Sequence, residues 1–248
     1  MRELKVEMRK LFFQRHFYIA WLIYNGILAF LLYQLCGDGT IVRIEGAEAE
    51  NVAYNEIMNS MLLLTHQVGL VAIILALLCW QTFGKECDQR YITCYLLSTR
   101  DKWKYMLAKV IVVAIGFTVI IVCSIAIMLS IYSILEPTNF SFELSANTWS
   151  QLFQQTSIIV LCGILFISLT AVVSLHFGAI GVLVTTIGLA IFSSIFSQNQ
   201  YIKDFIPLNL LNISKSQSFI EHGGLLLLYI LVCLFVLRFV TKRTELGV

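Results

Sequence analysis

The chain has 248 residues, 58% of them hydrophobic and only 13% charged, with two prolines and a mean hydropathy of +0.83. A soluble domain carries about a quarter charged residues, so this composition leaves too little polar surface to keep a globule in water. A soluble enzyme, a disordered chain and a disulfide-framed secreted module are excluded, and the net charge of +2 hides a strong asymmetry along the chain.

Residues 1–16 read as an amphipathic helix. Leu4, Met8, Leu11 and Phe12 follow i, i+4, i+7, i+8 and share one face, while Arg2, Lys5, Arg9 and Lys10 lie largely away from it. Such a helix suits the membrane interface, its basic face toward anionic head groups. The plainer reading is a helix that only anchors the first span through its charge, and the two are compatible.

Six mostly apolar stretches follow, at 17–36, 61–83, 110–135, 156–175, 179–197 and 224–240, free of Lys, Arg, Asp and Glu but for Arg238 near the end of the last. Roughly 20 residues at 1.5 Å rise cross the hydrocarbon. Backbone groups in lipid must be satisfied within the segment, which demands helices. The run Val68–Trp80 does not alternate as a barrel strand would. The expected fold class is an all-α integral membrane protein, with 1–248 as a single transmembrane domain of six helices. No small-residue cleavage site follows the first span, which is therefore expected to stay in the mature protein.

With the N-terminus inside, 14 of the 17 basic residues and six of the 15 acids fall on the cytoplasmic side. The bias of Lys and Arg places both termini in the cytoplasm.

Between the second and third spans, residues 84–109 form the expected cytoplasmic coupling loop. Glu86 and Arg90 make an i, i+4 pair, so Glu86–Leu97 is expected to be a short helix presenting Tyr91, Cys94 and Tyr95. Ser98-Thr99 caps a second short helix starting near Arg100, with Asp101 in its first turn and Lys102 and Trp103 following. The loop either docks a soluble partner or is solvated and merely sets topology.

The fourth and fifth spans are joined by His176, Phe177 and Gly178 alone, which forces an antiparallel hairpin. Gly178 suits a positive φ. Gly181 and Thr185 form a small-x-x-x-small pair for packing within the subunit or, less expectedly, between subunits. The outer segments 37–60, 136–155 and 198–223 mix acids with aromatics and show no ligand-binding constellation.

Several chemistries lack their residues. Ion-coupled transporters place ionisable groups at membrane depth. Here only His66 and His176 come near it, and both read as interfacial rather than as proton relays. Both prolines lie outside the spans, so paired helix interruptions are not signalled. The seven cysteines show no C-x-x-C or zinc spacing, and metal or disulfide roles are not expected. Gly84-Lys85 runs on into Glu86, so no phosphate-binding loop is present. The chain is not expected to be an enzyme or to bind a cofactor, and uphill transport would draw on another polypeptide.

The order of these parts resembles the small ABC-type export permeases of bacteria, the six-helix ABC-2-like exporter family. Glu86, Leu96-Leu97-Ser98, Arg100 and Lys109 stand in the arrangement of that family's coupling loop, although Tyr91 occupies a place where glycine is common and no proline lies between Ser98 and Arg100. The resemblance implies a permease subunit paired with a second copy or a paralogue in the cell membrane. It also implies two cytoplasmic ABC ATPase subunits that carry the ATP and Mg. Glu86, Arg90, Tyr91, Tyr95, Leu97, Arg100, Asp101, Lys102 and Trp103 would contact the ATPases, together with the N-terminal helix and the reversal at His176–Gly178. The second and fifth helices would meet across the dimer. Charge-free walls suit an amphipathic or apolar cargo, and the resemblance points to peptide toxins or antimicrobial peptides. Membrane lipids are the other expected partner, and nucleic acid is not expected. The competing reading is a non-transporting membrane sensor, assembly or immunity protein that acts by binding.

Overall fold

The computed structural model describes residues 2–36, 52–67, 69–85, 102–135, 140–141, 146–196 and 218–245. Its helices are α1 (Arg2–Phe13), α2 (Arg15–Cys36), α3 (Tyr54–Gln67), α4 (Leu70–Cys79), α5 (Lys102–Leu135), α6 (Ala146–Phe177), α7 (Ala179–Phe196) and α8 (Ser218–Glu245). A π-turn, Trp80–Gly84, continues α4. Two short strands, β1 (Val52–Ala53) and β2 (Phe140–Ser141), pair in parallel with Val52 opposite Phe140.

Four helical stretches are long and apolar enough to cross a membrane: Arg15–Gln34, Lys102–Ile134, Trp149–Phe177 and Glu221–Lys242. The chain is a helical membrane protein. These stretches answer to the spans expected at 17–36, 110–135, 156–175 and 224–240. Shorter apolar helices, Leu70–Gly84 and Ala179–Leu189, fall where the spans at 61–83 and 179–197 were expected.

The expected continuous span at 61–83 is corrected. It is broken at Gly69, whose φ of 82° lies in the left-handed region that glycine enters without steric cost. The N–H of Ile73 donates to the Gly69 carbonyl at 3.0 Å, so α4 starts afresh there. Hydropathy averaged over a window is blind to a single backbone reversal of this kind. Farther on, the backbone widens. The Lys85 N–H donates to the Trp80 carbonyl five residues back, the π pattern.

A second correction concerns the loop expected over 84–109. Residues 102–109 belong to α5, so the separate short helix expected near Arg100 merges with the third span. The three lysines in this stretch read as loop, but Tyr105 and Met106 between them are buried, and that packing carries the helix outward.

The centre of the bundle is α6, which touches α3, α4, α5, α7 and α8. Its Gly163 leaves room for the Phe117 ring of α5 to pack against it. A Cβ added there would come within 2.3 Å of the ring. At the strand end, the Tyr54 hydroxyl donates to the Met128 carbonyl at 2.6 Å, and the Tyr54 and Tyr132 rings are 4.4 Å apart. Large aliphatic and aromatic side chains face outward on α2, α7 and α8, among them Leu22, Leu183 and Phe235, as suits helices bathed in lipid rather than water.

Candidate functional site at the basic end of the bundle

One end of the bundle gathers α1, the π-turn, the first turns of α5 and the reversal between α6 and α7. Helix α1 is held by its apolar stripe. Leu11 is buried, and Leu4, Met8 and Phe12 pack against the core. Leu11 sits on Gly116 of α5, where an added Cβ would meet the Leu11 Cδ2 at 2.7 Å. The stripe is thus taken up by α5 rather than by lipid. The opposite face exposes Lys5, Arg9 and Lys10 with Val6 and Phe13, and the Arg9 guanidinium lies 5.8 Å above the Phe13 ring.

An acid interrupts the inward stripe. Glu7, at i+3 from Leu4, is buried. Its carboxylate accepts from Lys10 Nζ at 2.9 Å and stands 3.6 Å from Lys109 Nζ. Lys109, two turns inside α5, is fully buried. Its ammonium donates to the Thr82 carbonyl at 3.0 Å and lies 5.0 Å from the centre of the Tyr105 ring. Thr82 belongs to the π-turn, and its hydroxyl donates to the Leu78 carbonyl. A charge taken out of water needs a partner and further hydrogen bonds, and Lys109 finds both on two different helical segments. Lys109 entered the sequence reading as one of the residues matching the coupling-loop arrangement, and Glu7 was not singled out. The legible signal was an acid placed in the middle of an apolar face.

The reversal closes the same end. Gly178 has φ 59°, its N–H donates to the Ser174 carbonyl at 2.9 Å, and the Gly181 N–H donates to the Gly178 carbonyl at 3.1 Å. His176 and Phe177 are exposed. A Cβ on Gly181 would lie 2.8 Å from Ser174 Cα, and one on Gly84 would lie 3.0 Å from Ala179 Cα. Gly181 therefore serves packing within the chain, and the π-turn abuts the first residue of α7.

Of the expected coupling residues, Lys102 is buried and Trp103 half-buried at the start of α5. Glu86, Arg90, Tyr91, Tyr95, Leu97, Arg100 and Asp101, with the helix expected at Glu86–Leu97, lie outside the described residues. Both flanks of that segment are placed. Lys85 is joined to a π-turn that Lys109 holds, and Lys102 opens the helix bearing Lys109. Among the described residues no three His, Cys, Asp or Glu side chains converge as a metal site. The geometry is that of a mechanical junction. Comparison with protein-family models, with curated proteins and with solved structures gives no significant match.

Proposed function

We propose that the chain is the transmembrane permease subunit of an ATP-driven exporter in the cell membrane, moving amphipathic or apolar peptides. The observation that carries this reading is the junction at the basic end. Glu7, Lys109 and the Thr82 carbonyl join α1, the entry to segment 86–101 and the helix that leaves it, and the reversal packs on the same π-turn. A push delivered to segment 86–101 would reach three membrane helices at once. The spans, charge-free but for Arg238 near the end of the last, support an apolar cargo and an energy source on another polypeptide. In this reading the basic end is cytoplasmic and two ABC ATPase subunits seat against it. A second permease copy would meet the outward faces of α4 and α7, where Ile73, Leu77, Ile180 and Leu183 are exposed.

Purification of the full chain in gentle detergent, with mass spectrometry of what accompanies it, tests this. A Walker-motif ATPase in near-equal amount is the expected result. An intact, folded preparation that recovers no ATPase would replace the exporter with a membrane protein that acts by binding.

A further inference from the structure

A cleft of about 400 Å³ opens between α5, α6 and α8, lined by Leu107, Ile111 and Thr118 of α5, Ile164 and Ser168 of α6, and Leu234 of α8 among others. Its wall on α5 runs from Leu107 to Val119, about 18 Å at 1.5 Å per residue. Both hydroxyls in the wall are turned into their own helices. Thr118 Oγ1 donates to the Ala114 carbonyl at 2.8 Å and Ser168 Oγ to the Ile164 carbonyl at 2.8 Å. The cleft therefore suits a narrow occupant that asks for no hydrogen bonds. A peptide would bring backbone N–H and C=O groups that these walls leave unpaired, at considerable cost in an apolar medium.

Cations stand next in register to two of the lining residues. Lys104 lies three residues before Leu107, on the same face of α5, and is exposed. Arg238 lies four residues beyond Leu234 on α8 and is exposed as well. Two exposed cations that continue the lining faces of α5 and α8 beyond an apolar slot match a molecule with a long hydrocarbon tail and an anionic head. We propose that the cleft holds one acyl chain of an anionic phospholipid, with its phosphate facing Lys104 and Arg238. The site requires that the helices span a bilayer and does not depend on the exporter reading.

Native mass spectrometry of the full chain tests the site, after equilibration with phosphatidylglycerol or with phosphatidylcholine of the same acyl chains. One phosphatidylglycerol should be retained roughly tenfold or more over phosphatidylcholine. Replacing both cations, Lys104→Gln with Arg238→Gln, should bring retention down to that of phosphatidylcholine. Ala114→Phe, which fills the cleft, should abolish retention of both. Ala114→Leu gives the same reading at smaller volume should the larger side chain prevent folding. Equal retention of the two lipids by the native chain, retention unchanged by filling the cleft, or a peptide found in place of lipid would each overturn the assignment.

Discussion

Glu7 and Lys109 illustrate how two charges alter the character of an otherwise apolar bundle. Removing one member of a buried pair strands the other, which costs about 3 to 5 kcal/mol. Glu7→Ala takes from the buried Lys109 ammonium the carboxylate 3.6 Å away. Lys109→Met leaves Glu7 with Lys10 at 2.9 Å, and Lys10 is far more exposed than Glu7. The expected order of thermal midpoints in detergent is native, then Lys109→Met, then Glu7→Ala, with the double variant above Glu7→Ala alone. Strictly additive losses would show that the two groups are not coupled. A second contrast sits at the reversal. Gly181→Ala sets a methyl against the Ser174 backbone at 2.8 Å, and such overpacking costs about 1 to 3 kcal/mol. Ser174 Oγ is buried and has no hydrogen-bond partner among the described residues, so Ser174→Ala strands none of them and should shift stability by less than about 1 kcal/mol. Paired melting curves check both.

At the scale of elements, the long spans were legible because hydropathy and length are sufficient for them. Helices α2, α5, α6 and α8 cover the stretches that long apolar runs marked. The second span was not legible in the same way. Its interruption depends on one φ angle at Gly69, and glycine inside an apolar run gives no separate signal. The start of α5 was misread for the opposite reason. Lys102, Lys104 and Lys109 suggested water, whereas Lys102 and Lys109 are buried. The apolar face of α1 was legible, but what covers it was not, because periodicity names a buried face and not its neighbour. Under the exporter reading, Glu86→Ala and Arg100→Glu act on the segment between the two flanks of the junction. Each should lower transport at constant ATP turnover while helix content stays native, and unchanged transport per ATP in both would remove that segment from the mechanism.

For the whole molecule, charge distribution and packing agree on one end. Lys10 of α1 and Lys109 meet at Glu7, and Arg238 and Lys242 follow Leu234 on α8, which shares a cleft with Leu107–Val119 of α5. Positive residues gather on the cytoplasmic side of spans. An epitope tag at either terminus should therefore be protected from added protease in intact cells and cut after lysis. Cleavage of either tag before lysis would reverse the topology. Much of the candidate site was hidden in the sequence because it is made by residues far apart in the chain. The Lys109 ammonium and the Thr82 carbonyl are 27 positions apart, and no spacing rule joins a lysine to a backbone oxygen at that distance.

That same tie fixes the distance between the two ends of the segment it encloses, with the Lys109 side chain as the clasp. The entropy of a closed loop grows only with the logarithm of its length, about 0.6 kcal/mol for each doubling. Extra residues inserted between Glu86 and Asp101 should therefore hardly lower the melting midpoint. The same insertion in a Lys109→Met background, where the clasp is gone, should free the entry and exit of the loop from one another. Amide exchange at residues 80–85 and 102–109 would then rise, while the strand end around Tyr54 keeps its protection. Length and anchorage become separate variables, so the reach of the loop can be lengthened without loosening the helices that bear it.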